Sequence, residues 1–167
     1  KGIDVSIGTI LMGLYNKAEE SDFYSEIVSL IQEDSTFYQE IDFNAGRILS
    51  VDDCYRIEGN ALLKELFSNK KGRISEMVSN EVGIKSETAR EILNFSALLV
   101  MSYLRYNLQL IESLKLLLED QKRDILNSIP PGIKIILGFS SYETVEDKNQ
   151  SIGRSIFTLF GHNFFSF

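Results

Sequence analysis

Residues 92–104, ILNFSALLVMSYL, carry no charged side chain at all. A helix over this run is apolar nearly all round, from Phe95, Ala97, Leu98, Leu99, Val100 and Met101. Such a helix has to be enclosed by other elements rather than laid on a surface. It is too short to cross a bilayer, which takes about 20 apolar residues. Asn94, Ser96 and Ser102 within it also suit a protein interior better than lipid. The rest of the chain must therefore supply cover.

That cover is helical. Apolar residues recur at spacings of three and four far more often than at two. Ile7, Ile10, Leu11 and Leu14 form one face of a first helix that ends near Asn16. Ser21 is placed to cap a second, with Phe23, Ile27, Leu30 and Ile31 inward. Glu33–Ser50 reads as loop with room for a short helix. Ser50-Val51-Asp52-Asp53 resembles a capping box opening a helix to about Asn69, with Tyr55, Leu62, Leu63, Leu66 and Phe67 inward. Ile74–Val82 is a short helix stopped by Gly83, and Ser86 caps a long one to about Asn107. Leu108–Glu119 continues or restarts it, Asp120 caps Gln121–Ile129, and Ile133–Phe139 makes a last turn or short helix after Pro130-Pro131. No window alternates long enough to propose a sheet. The expected fold is all-α, a multihelical domain over 1–139 followed by a polar linker and phenylalanine-rich segment over 140–167.

A faint repeat aligns Thr9–Asn16 (TILMGLYN) with Leu98–Arg105 (LLVMSYLR). Two such helices packed together would approach closely at Gly8, Gly13, Ala97 and Ser102.

Charge narrows the function. The net charge is −7, and residues 1–44 hold nine acidic and two basic side chains, whereas the middle is nearly balanced. An acidic quarter beside a neutral core argues against a general polyanion binder. The stretch Ile74–Leu93, ISEMVSNEVGIKSETAREIL, nonetheless has the outline of a helix-turn-helix. Lys70, Lys71, Arg73, Lys85 and Arg90 surround it, with Glu87 and Glu91 at the start of the second helix. Those glutamates would face phosphates, and beyond Asn94 the helix belongs to the core. The sequence favours a structural corner over nucleic-acid binding, and reads Lys70-Lys71-Gly72-Arg73 as a solvated loop.

No catalytic constellation is visible. Cys54 is the only cysteine and His162 the only histidine, and neither has the surroundings of a nucleophile or base. The acidic pairs Glu19-Glu20, Glu33-Asp34, Asp52-Asp53 and Glu119-Asp120 are adjacent in sequence, so on a helix each pair diverges by about 100°. No phosphate-binding glycine loop, metal-ligand spacing or nucleophile elbow occurs, so no enzyme, cofactor or metal is expected. The chain opens on Lys1 rather than methionine, as a piece of a longer protein would, and no apolar secretory stretch follows. Its last eleven residues contain Phe157, Phe160, Phe164, Phe165 and Phe167, the candidate interaction residues. A helix docked on the core, a self-association arm and a membrane-interface anchor remain open for them.

The stretches NEVGIKSETAREILNFSALLVMSYL and LLEDQKRDILNSIPPGIKIILGF resemble a known family. It is the bacterial domain-of-unknown-function family 937, the YidB-like proteins, in the form found in Bacteroidetes. The residues that carry the resemblance are Gly83, Ile84, Ala89, Ile92, Leu93, Ala97, Leu99, Val100, Met101 and Leu104. In the second stretch they are Gln121, Lys122, Ile125, Pro130, Gly132, Leu137 and Gly138. The opening IGTILMGLYNKA is similar to the family's first helix. Gly8 and Leu98 depart from it, standing where the family usually has proline. The resemblance implies an all-α domain and no catalytic residues. It also implies, from members that continue into a membrane helix or an OmpA-like module, a tie to the cell envelope. The expected function is therefore a non-enzymatic interaction or structural domain, cytoplasmic or envelope-associated, whose partner is a protein or a second copy. A DNA-associated domain and a carrier of a small apolar ligand or lipid are the alternatives.

Overall fold

The structure is a computed structural model that describes residues 1–20, 22–32, 41–42, 47–48, 54–107 and 109–140. Among the described residues, seven α-helices run in chain order: α1 (Gly2–Lys17), α2 (Phe23–Gln32), α3 (Cys54–Phe67), α4 (Lys71–Val82), α5 (Ser86–Tyr106), α6 (Gln109–Ser128) and α7 (Pro131–Leu137). Between α2 and α3, β1 (Ile41–Asp42) pairs antiparallel with β2 (Arg47–Ile48), Ile41 opposite Ile48. Two residues per strand is too short for any alternation to register. The fold is all-α.

The two helices at the centre are α1 and α5, packed on each other. Every residue from Val5 to Leu14 is buried, so α1 has no solvent face over that span. This extends the single face that sequence spacing gave it. In α5 the buried span covers Leu93, Asn94, Ser96–Ser102 and Leu104, as the uncharged run requires. The remaining helices enclose this pair: α3 and α4 lie on α5, α6 lies on α1, and α7 touches α1 and α4. Partners are exchanged across the centre, since α1 packs with α6 while α5 packs with α2.

Close approach does occur at Gly8 and Gly13, but against helices other than the one the repeat alignment implies. A Cβ on Gly8 would meet Ser128 Oγ at 2.6 Å and Ile129 Cγ2 at 2.8 Å, at the end of α6. One on Gly13 would meet the Phe67 ring at 2.6 Å, from α3. Neither glycine serves the α1–α5 contact. The tightest backbone contact is instead between α3 and α5, where a Cβ on Gly59 would run into the Asn94 carbonyl.

Helix boundaries differ from the sequence reading at three places. α4 begins at Lys71, directly after a 3-10 turn at Ser68–Lys70, so the Lys70–Arg73 stretch is helical rather than loop. It still ends at Val82, where Gly83 takes φ +74° and donates its N–H to Ser79 O at 2.9 Å. Ser86 is the first residue of α5 and not its cap; Lys85 holds the cap position and makes no side-chain capping bond. α6 runs through Glu119-Asp120 without a restart, because Leu114, Leu118, Gln121 and Ile125 carry one buried stripe across Asp120. The proposed caps at Ser21 and at 50–53, and the side chains of Tyr55 and Cys54, lie outside the described residues.

The polar residues of the central pair are buried along with the apolar ones. Thr9 Oγ1 donates to Val5 O at 2.6 Å, inside its own helix. The hydroxyls of Ser6, Ser96 and Ser102 are buried and find no hydrogen-bond partner among the described residues. Among the described residues, no helix is long and apolar enough to cross a membrane.

Candidate functional site

Described polar side chains gather in three places, of which the first ties the fold together. At the first, Tyr15 donates to Glu119 Oε2 at 2.5 Å, joining α1 to α6. Lys122 Nζ lies 4.9 Å from the Tyr15 ring centroid and 5.7 Å from that of Phe139. A cation over two rings is held by their quadrupoles, here at the seam where α7 ends. Asn16 Nδ2 donates to Leu137 O at 2.8 Å and closes the same seam. The bond to Glu119, followed by desolvation, pushes the Tyr15 hydroxyl pKa above its ordinary value.

The second place is acidic. Glu26 of α2 faces Glu65 of α3, and that charge first, then desolvation, raises the Glu26 pKa above the ordinary carboxylate value. Lys17 pairs with Glu20 at 2.9 Å close by. Because the folded pKa of Glu26 is raised, the fold disfavours its charged form, and that penalty is present only once the pH exceeds the ordinary carboxylate range. Glu26→Gln is therefore expected to raise Tm modestly at pH 7 and to change nothing near pH 3. Thermal melts at the two pH values check this, and an equal shift at both would rule out the charge as its origin.

The third place is a recess of about 420 Å³ between α4 and α5, lined by Lys71, Gly72, Ser75, Glu76, Ser86, Arg90 and Leu93. Its volume falls within the range of small-molecule sites. Local sequence builds it. Gly83 in the left-handed conformation turns the chain sharply, so the start of α5 lies against the end of α4, with Ser86 beside Ser79. Ser79 Oγ donates to Ile84 O at 2.6 Å and lies 3.5 Å from Ser86 Oγ, fixing the turn from inside. Lys71 and Gly72, in the first turn of α4, and Ser86, in the first turn of α5, all line the recess.

The recess is cationic. Lys71 donates to Asn60 Oδ1 of α3. Burial first, then the charges of Lys64 and Arg90, hold its pKa below the ordinary lysine value. A lysine repelled by two other cations sits where positive charge has been concentrated. Glu76 on the wall is the one carboxylate among the described lining side chains. Ser75, also on the lining, is 7% exposed.

Of the five basic residues singled out in sequence, Lys71 and Arg90 meet here, whereas Lys70, Arg73 and Lys85 are not on the lining. Lys64, Ser75 and Ser86 had no signal as site residues; only Ser86 stood out, as a cap. From Leu93 to Leu104 α5 is largely enclosed, so the accessible part next to the turn is its first two turns. In those turns Glu91 is paired with Arg56 at 3.0 Å. The candidate interaction residues Phe157, Phe160, Phe164, Phe165 and Phe167, and also His162, lie outside the described residues. Among the described residues no group of three or more metal-ligating side chains occurs.

A family model described as bacterial protein of unknown function, DUF937, matches residues 1–107, from the start of α1 to the end of α5. Neither curated proteins nor solved structures gave a match. The match takes in both central helices and the α4–α5 corner with its recess, and it covers well over half of the 167 residues. The chain belongs to the DUF937 family of bacterial proteins.

Proposed function

We propose that this chain is a non-enzymatic interaction or structural domain that works at the bacterial cell envelope. The observation that carries binding over catalysis is the composition of the α4–α5 recess. Two cations and two hydroxyls form a set that holds an anionic group, with a single carboxylate beside them. Three other described polar contacts are ties between helices: Tyr15 to Glu119, Asn16 to Leu137, Arg56 to Glu91. The envelope side of the reading is supported by the sequence of the tail. Its phenylalanines, from Phe157 to Phe167, offer apolar contacts to a membrane interface, a partner protein or a second copy.

The test is fractionation of the complete gene product in its own bacterium, with a carbonate wash of the membranes and sizing of the soluble fraction. The expected result is carbonate-resistant membrane association, or an assembly larger than the chain itself. Recovery as a soluble monomer would overturn the reading.

A further inference from the structure

We propose that the recess between α4 and α5 is a binding site for a phosphate monoester, held by Lys71, Arg90, Ser75 and the first-turn amides of α5. The inference rests on reading the domain as a binding module and specifies what one of its sites takes.

Three independent features converge there. The first is charge: Lys71 and Arg90 line the recess, and Lys64 stands close enough to repel Lys71. Arg90 has no ion pair with a described residue, and Lys71 has a neutral partner, Asn60, that occupies one of the three donors of an ammonium group. The second is the start of α5. With no side-chain cap from Lys85, the amides of Ser86, Glu87 and Thr88 have no partner inside the helix. Such amides favour an anion, and the helix dipole adds to the effect. The third is Ser75, more than nine-tenths buried and on the lining, which places a neutral hydroxyl donor beside the two cations.

The geometry selects the class of anion. A carboxylate offers two coplanar oxygens, which one arginine fork satisfies. Here the Lys71 ammonium and Ser75 hydroxyl of α4, the Arg90 guanidinium and the uncapped α5 amides together offer more donors than two carboxylate oxygens can use, and enough for the three oxygens of a phosphate. A phosphate monoester is close to a dianion at neutral pH. It matches two lining cations with Lys64 behind them better than a monoanion does. Glu76 repels an anion placed against it, so the phosphate belongs on the Lys71–Arg90 side. The recess, at about 420 Å³, is larger than a bare phosphate group needs, and Leu93 provides an apolar wall for the organic part of the ester.

The experiment is an amide-resolved NMR titration of the whole chain with glycerol 3-phosphate, ionic strength held constant with chloride. Saturable shifts confined to Lys71, Gly72, Ser75 and Ser86–Thr88 are expected, with none from acetate at the same concentration. Arg90→Glu is expected to weaken binding at least about tenfold and Ser75→Ala by about threefold. Ser75→Ala preserves the fold and keeps the test decisive if the charge reversal does not. Equal shifts with acetate, shifts spread over lysines and arginines generally, or affinity unchanged in both variants would overturn the proposal. Flotation with vesicles of phosphatidic acid in phosphatidylcholine then identifies the source. Flotation lost in Arg90→Glu assigns a lipid headgroup, and saturable NMR shifts without flotation assign a soluble ester; both keep the site. A negative titration leaves the interaction-domain reading standing, since fractionation and assembly size decide that separately.

Discussion

Alanine in place of Gly59 is expected to destabilise the protein by about 3 kcal/mol, lowering Tm by roughly 6–12 °C for a domain of this size. The added Cβ would stand 2.7 Å from the Asn94 carbonyl carbon and 3.0 Å from its Cα, and closer still to its oxygen. All three atoms are backbone, inside the buried span of α5, so no rotamer change can move them aside. Relief requires α3 to back away from α5, which opens the contact that Leu62, Leu63 and Leu66 help to fill. Alanine is a better helix former than glycine by about 1 kcal/mol, and the estimate is net of that gain. Gly132→Ala is the control. A Cβ there meets the tip of the Met77 side chain, which has three rotatable bonds with which to yield. Thermal unfolding followed by circular dichroism separates the two. A Gly59→Ala protein that melts with the wild type would mean that α3 and α5 do not approach this closely.

Gly59 also shows where sequence reading stops. A glycine inside a helical pattern is a weak signal in itself, since it is compatible with a flaw in the pattern or with a close crossing. Only the position of Asn94 distinguishes these, and it lies 35 residues away. By contrast, the burial of α5 was legible because an uncharged thirteen-residue run leaves no face for water. The stop at Gly83 was legible for a similar reason, being encoded in one residue's backbone preference.

Capping was read less well. Ser86 and Asp120 have the residue types of caps, yet the helix starts at one and runs through the other. At Asp120 tertiary burial decided the matter, since the stripe on either side of it is continuous and its burial outweighs one cap. The recess was half legible. Lys71 and Arg90 stood out as basic residues around a turn, but their convergence depends on how the chain turns at Gly83, and Lys64 and Asn60 arrive from α3. Ser75 gave no signal, because a serine in a helix is ordinary until its burial is known.

The family match ends at residue 107, and a chain cut there is expected not to fold. Beyond that point Leu114, Leu118, Ile125, Leu126, Ile129, Ile133 and Leu137 are all buried, six of them on α6 and α7 and Ile129 between the two. Their burial is worth roughly 1.5–3 kcal/mol each, so removing them forfeits on the order of 10–20 kcal/mol. Net stabilities of domains are about 5–15 kcal/mol, so the loss is as large as the whole. The cut also uncovers α1, which is buried on every side from Val5 to Leu14 and relies on α6 and α7 for part of that cover. Gly8 is specific to this contact, since its missing side chain is the space that Ser128 and Ile129 occupy. Residues 1–107 should therefore appear in inclusion bodies, or as a species with helical far-ultraviolet signal but no cooperative melt. Residues 1–140 should melt cooperatively. A cooperative, soluble 1–107 fragment would show that α6 and α7 are an appendage, and that α1 finds its cover within the matched span. If instead only the longer chain folds, the unit that folds extends beyond the residues the family model matches and takes in α6 and α7.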